Sequence, residues 1–76
     1  MARYYFNVKD GNSLNDHEGV ELPDISAARE EALQTTAGLL RESGSDIWVL
    51  PEWSMHVTDA SGKEVITLRL SAKSGE

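Results

Sequence analysis

Only one segment of this chain carries apolar residues at the spacing of an amphipathic helix, and strand-like segments flank it on both sides. Asp24 is the predicted N-cap, and Ser43-Gly44 ends the helix with a glycine suited to a left-handed cap. The apolar stripe comprises Ile25, Ala28, Ala32, Thr36, Leu39 and Leu40, widened by Leu33 and Ala37. Since one helix can cover only one face of a sheet, the other face must meet solvent or a partner.

The segment before the helix predicts a hairpin with a long, acidic connection. Residues 3–9 are rich in aromatic and β-branched residues and alternate between two faces. The inward face of this strand carries Tyr4, Phe6 and Val8. A turn-forming loop follows, and residues 20–22 form a short strand that Pro23 ends.

The segment after the helix predicts a second hairpin. Residues 53–58 alternate, with Trp53, Met55 and Val57 facing inward, and residues 59–62 form a turn. The last strand covers residues 63–70. The sequence therefore predicts an α+β fold in the order β-β-α-β-β, with one helix packed on one face of a four-stranded, mostly antiparallel sheet.

Size limits the stability of such a domain. The chain has 76 residues, of which residues 1–72 are expected to form a single domain and residues 73–76 a polar tail. A domain of this length buries only about 60% of the surface of its unfolded chain, and without cysteine it lacks disulfides and thiolate metal sites. A homodimer would supply the missing burial. The lack of cysteine, of a signal-like start and of a membrane-length apolar segment indicates a cytoplasmic protein.

The negative charge is confined to one part of the chain. The net charge is −6, and residues 10–31 alone contain seven acidic residues and one arginine. This window is either a solvated loop leading into a helix start whose acids complement the helix dipole, or a patch for a basic protein, as in an antitoxin. The shortage of clustered Lys and Arg makes nucleic acid an unexpected partner, and no membrane partner is predicted.

The sheet face away from the helix is the expected contact surface, because its residues form a half-apolar mixture. That outer face includes Tyr5, His56, Val65, Thr67 and Arg69. Trp48 and Trp53 either close the open end of the core or anchor a partner. The candidate interaction residues are Tyr5, Trp48, Trp53, His56 and Arg69.

The sequence shows no spaced catalytic motif. It contains neither a nucleophile elbow nor a glycine-rich phosphate loop, so no enzyme activity and no cofactor are predicted. A weak cation site is suggested by Asp10, Asp16, His17 and Glu18, whose oxygens suit a hard cation such as Ca²⁺. The alternative interpretation is a solvated loop.

A set of short motifs extends over nearly the whole chain: Arg3-Tyr4-Tyr5-Phe6, Asp10-Gly11, Glu18-Gly19-Val20-Glu21-Leu22-Pro23-Asp24, Trp53-Ser54-Met55-His56-Val57-Thr58-Asp59, Gly62 and Leu68-Arg69-Leu70. With these motifs the chain resembles a family of short proteins of unknown function that are common in rhizobia and related alphaproteobacteria. The resemblance covers residues 3–72 and implies no activity and no catalytic residues.

These observations favour a non-catalytic interaction or regulatory module that acts as a homodimer. The alternatives are a domain that binds a small ligand or cation through the acidic loop at residues 10–18, and an antitoxin-like partner of a basic protein.

Overall fold

The described part of the molecule consists of one helix and five strands. The computed structural model describes residues 1–9, 13–43 and 53–71. The elements are β1 (Ala2–Lys9), β2 (Ser13–Leu14), β3 (Val20–Leu22), α1 (Ile25–Ser43), β4 (Trp53–Asp59) and β5 (Glu64–Leu70). The predicted apolar segment around Trp48 lies outside the described residues.

The five strands form one antiparallel sheet in which β1 has neighbours on both edges. One edge of β1 pairs with β4, which in turn pairs with the outermost strand, β5. The other edge pairs with β3 near the start of β1 and with β2 near its end. The predicted α+β class with one helix and an antiparallel sheet is confirmed.

The predicted number and order of the strands are wrong, because residues 13–14 form an additional strand in a segment expected to be a loop. This strand pairs Ser13 with Lys9 and Leu14 with Val8. A two-residue strand is held by its main chain, so it leaves no alternation in the sequence from which it could be recognised.

The helix begins at the predicted residue, Ile25, and its start is capped as expected, whereas the predicted cap at Gly44 lies outside the described residues. The Asp24 carboxylate accepts a hydrogen bond from the Ala27 N–H at 2.9 Å. Ala28 and Ala32 are fully covered, at 0% and 1% exposure. Their small side chains let the helix lie close to the sheet, and further along the helix the Thr36 hydroxyl lies 3.9 Å from the Met55 sulfur.

The predicted widening of the buried helix stripe is wrong. Leu33 is 56% exposed, and Ala37 is exposed as well. Both lie beyond the part of the helix surface that meets the sheet.

The core lies between the alanine face of α1 and the inner face of β1 and β4. The register pairs Val8 with Met55 and Phe6 with Val57, so the predicted inward faces are confirmed. Met55 and Val57 are completely buried. Trp53 is 5% exposed and belongs to the same cluster, which agrees with the core alternative proposed for it.

A carboxylate completes the edge of β1 between β2 and β3. The Phe6 N–H donates to Asp16 Oδ2 at 3.1 Å, so this side chain takes the place of a strand carbonyl. The Asn7 side chain accepts from the Asp16 N–H at 2.9 Å and donates to the His56 carbonyl at 3.0 Å. Asp16 and Asn7 together therefore join the loop to the two central strands.

The second oxygen of Asp16 organises the loop itself. It accepts hydrogen bonds from the N–H groups of Glu18 and Gly19, both at 3.1 Å. Gly19 has a φ of +73°, and a Cβ there would lie 2.9 Å from the Tyr4 carbonyl oxygen and from side-chain carbons of Arg3 and Tyr5. Both the backbone conformation and the close approach therefore require glycine.

Ionisation of Asp16 is favoured in the folded protein. Burial alone would raise the pKa of this carboxyl, but the N–H groups of Gly19, Phe6 and Glu18 outweigh it and hold the pKa below its ordinary value of 3.8. The stabilisation from this group is therefore present above the unfolded-state pKa and is lost as the pH falls through the lower, folded-state pKa.

We expect Asp16→Ala to lower the free energy of unfolding by about 1–3 kcal/mol, because it leaves the Phe6 N–H without its acceptor. Urea denaturation at pH 7 measures this loss. Glu18→Ala is the matched control, because the Glu18 side chain makes no hydrogen bond within the described residues. Equal losses in the two variants would contradict the role assigned to Asp16.

The stabilising effect of the Asp16 charge should also depend on pH. We expect the difference in unfolding free energy between the wild type and Asp16→Asn to be largest near pH 7 and to shrink below the ordinary carboxyl pKa of 3.8. Urea denaturation series between pH 7 and pH 2 test this. A difference that stays constant over that range would show that the charge is not involved.

Candidate functional site

The outer face of the sheet is a polar surface centred on His56. The register places Asn7 and Thr67 on either side of His56, and Lys9 and Arg69 on either side of Ser54. The expectation of a half-apolar outer face is therefore wrong. Its main apolar member, Val65, packs against the core instead.

A β-bulge explains the position of Val65. The ladder pairs Val57 with Ile66 but Thr58 with Glu64, so Val65 is an extra residue with no direct partner on β4. The same shift places Glu64 on the outer face, near His56.

Four side chains form a continuous hydrogen-bonded network on this face. His56 Nε2 lies 2.9 Å from Ser54 Oγ, and His56 Nδ1 lies 2.8 Å from Glu64 Oε1. The Thr67 hydroxyl donates to Glu64 Oε2 at 2.7 Å. The His56 side chain is 20% exposed and that of Glu64 is 49% exposed, so the network is held in place yet open to solvent.

The network fixes the orientation of the imidazole. Thr67 and then His56 donate hydrogen bonds to Glu64 and hold the pKa of its carboxyl below its ordinary value of 4.5. In the tautomer whose hydrogen is on Nδ1, Glu64 accepts that hydrogen and Nε2 accepts the Ser54 hydroxyl hydrogen. The ring is therefore positioned from both sides.

Hydrogen bonds connect Ser54, His56 and Glu64 in the order in which a nucleophile, a base and an orienting group are connected in many hydrolases. Acyl transfer also needs free N–H donors for the developing oxyanion. Ser54 lies on an inner strand, paired with Lys9 on one side and Arg69 on the other, so the neighbouring N–H groups are engaged in the sheet. Ser54 therefore has no oxyanion site formed by its own N–H group within the described sheet.

Ser54 and His56 of this network line a cavity of about 300 Å³ where β4 begins and β5 ends. The lining residues are Trp53, Ser54, His56, Arg69, Leu70 and Ser71. This site, which we call the strand-end pocket, brings together three of the predicted interaction residues: Trp53, His56 and Arg69.

Two other predicted interaction residues do not line this pocket. Tyr5 lies further along the outer face, where it pairs with Thr58, and Trp48 lies outside the described residues. That Tyr5 and Trp48 contact a partner stays a prediction.

The sequence reasoning missed Ser54 and Glu64 as members of the site. Ser54 could have been found, because residues two apart on a strand share a face and His56 was already a candidate. Glu64 could not have been found in this way, since its place on the outer face depends on the bulge at Val65.

A second cavity of about 270 Å³ lies between α1 and β5 and is almost entirely apolar. The lining residues are Arg29, Ala32, Leu33, Ile66 and Leu68, and we call this site the α1–β5 groove.

The weak cation site receives no support from the described geometry. Within residues 1–9, 13–43 and 53–71, no group of three or more histidine, aspartate or glutamate side chains could hold a metal ion. Both Asp16 oxygens already accept backbone hydrogen bonds, and His17 and Glu18 are exposed. Asp10 lies outside the described residues.

Thr67→Val should raise the pKa of Glu64, because it removes the hydrogen bond that contributes most to lowering it. NMR titration of the Glu64 carboxyl carbon measures the change. Thr58→Val is the control, since Thr58 pairs directly with Glu64 but gives it no hydrogen bond. An unchanged titration in Thr67→Val would show that this bond is not formed in solution.

The described residues include no helix that is both long enough and apolar enough to cross a membrane. Comparisons with curated proteins and with solved structures gave no match. A family model described as "Domain of unknown function (DUF6894)" matches residues 3–71, nearly the range over which the sequence resembles a family of unknown function. The rhizobial origin implied by that resemblance stays a prediction. With almost its whole length matched, the chain belongs to the DUF6894 family.

Proposed function

We propose that this protein is a small, non-catalytic interaction module that forms a homodimer through β5 and the α1–β5 groove. The observation that carries the proposal is the apolar groove beside the outermost strand of the described sheet. The lack of cysteine supports a cytoplasmic location.

The helix covers the middle of the sheet more completely than its β5 side. Val57 is completely buried, whereas its partner Ile66 on β5 is only partly buried. Met55 and its partner Leu68 show the same contrast. Leu33 borders the same groove with 56% of its surface exposed. An apolar strip therefore follows β5 at the edge of the core.

A second copy of this chain fits that strip. Two β5 strands paired antiparallel about a two-fold axis would place Ile66 and Leu68 of both copies on the same face, flanked by Leu33 of both helices. The main chains would supply hydrogen bonds, and the apolar residues would supply buried area. A small domain gains stability from such additional burial.

The charge distribution also favours this edge. Asp16 and Glu21 lie on the far side of β1 from β4 and β5, in or beside the strands of the opposite edge. Two acidic chains that meet at β5 therefore keep these carboxylates apart, which limits repulsion between the copies.

We expect sedimentation equilibrium at micromolar concentrations to give twice the chain mass of 8.4 kDa for the wild type. Leu33→Glu should shift the protein to monomer, because it places a charge in the apolar contact.

Leu14→Glu is the matched control. Leu14 is 68% exposed and lies on β2, at the opposite edge of the sheet, so this variant should stay dimeric. A wild type that sediments as a single 8.4 kDa species at these concentrations would overturn the proposal.

A further inference from the structure

We propose that the strand-end pocket binds a small organic anion, with one carboxylate or phosphate group held by Arg69 and a short apolar body against Trp53 and Leu70. This inference goes beyond the proposed dimer, which pairs the edge of β5 and buries the α1–β5 groove.

Arg69 supplies the positive charge of the pocket. It is exposed and pairs with Ser54 across the ladder, so the guanidinium and the hydroxyl belong to the same face. Within the part of the chain that the structure describes, the ion pairs are Arg3 with Glu21 and His56 with Glu64, and Arg69 forms none. A guanidinium binds the oxygens of a carboxylate or a phosphate through two parallel hydrogen bonds.

Ser54 and His56 line the polar side of the pocket, beside Arg69. The imidazole is held by Glu64 at 2.8 Å, so its Nε2 edge keeps a fixed position 2.9 Å from Ser54 Oγ. The Ser54 hydroxyl can donate to Nε2 or turn its hydrogen to an anion on Arg69. Glu64 is itself satisfied by Thr67 and His56, which reduces its competition for Arg69.

The other half of the pocket is apolar. Trp53 and Leu70 are direct partners on the inner face, at the last pair of the β4–β5 ladder. The pocket therefore spans the end of the sheet, where the polar outer face meets the apolar inner face. Its volume of about 300 Å³ is at the low end for ligand sites, so it suits a ligand the size of benzoate or phenyl phosphate.

The acidity of the chain does not oppose anion binding at this location. Residues 10–31 carry −6, the whole net charge. Of the acidic residues in this window, Asp16 and Glu21 lie beyond β1, on the opposite edge from β5. Arg69 is therefore separated from these two carboxylates by β1 and β4.

NMR titration of the ¹⁵N-labelled full chain tests the proposal. Acetate, benzoate, inorganic phosphate and phenyl phosphate are added separately, each against sodium chloride at matched ionic strength. We expect saturable shifts of the Ser54, His56 and Arg69 amides and none in the turn at residues 60–62. Benzoate and phenyl phosphate should bind more tightly than acetate and phosphate, because only they fill the apolar half.

Variants separate specific binding from general charge effects. Arg69→Gln should weaken benzoate binding by about tenfold or more. Lys63→Gln removes the same charge just before the opposite end of β5 and should leave the affinity unchanged. Ser54→Ala removes the hydroxyl on the polar side of the pocket and keeps the charge of Arg69. This variant should also weaken benzoate binding.

Sedimentation and benzoate binding, measured on the same variants, test the strand-end pocket and the proposed dimer separately. Ser54→Ala changes the inner strand β4 and should keep the wild-type sedimentation mass, and Leu33→Glu should keep the benzoate affinity. Shifts that sodium chloride reproduces, or equal benzoate affinities in the wild type, Arg69→Gln and Ser54→Ala, would overturn the proposal.

Discussion

The close contact between the alanines of α1 and the inner face of the central strands determines how the rest of the molecule is arranged. Ala28 and Ala32 are almost completely buried, and Met55 and Val57 of β4 are completely buried in the same cluster. Because the helix is seated there, it covers the middle of the sheet and leaves β5 partly open. The α1–β5 groove is thus a consequence of where a single helix can pack, and Leu33 is exposed for the same reason.

One carboxylate in the acidic window has a structural role that its charge alone does not suggest. Asp16 accepts hydrogen bonds from Phe6, Glu18 and Gly19, and Asn7 extends this connection to β4. The interpretation of this window as solvated acids or a partner surface omits this role. At Asp16 the negative charge holds the loop on β1.

The sequence predicted the features that depend on local periodicity and on capping. Alternation in β1 and β4 predicted which side chains are buried, and Asp24 predicted the helix start. The turn after β4 was predicted from Gly62, which has a φ of +88°. These features repeat with the period of their element or depend on neighbouring residues, so a single sequence contains the information.

The features that were missed depend on contacts between distant residues. Asp16 bonds to a backbone group ten residues away, and the two-residue strand β2 is too short to show alternation. The bulge at Val65 changes the partner of Glu64, so the network around His56 could be predicted only as far as Ser54. Register across strands decides such contacts, and the pattern within one strand does not.

The edge of β1 that pairs with the two short strands β2 and β3 also affects how many copies the proposed assembly could contain. Strands of two and three residues, flanked by carboxylates and joined through Asp16, offer a poor template for another strand, whereas β5 is seven residues long. Within the described sheet, the two edges are therefore unequal. A sheet with two equally receptive edges can add copies without limit and form fibres, whereas the proposed pairing of β5 with β5 would use the receptive edge of each copy and would close the assembly at two.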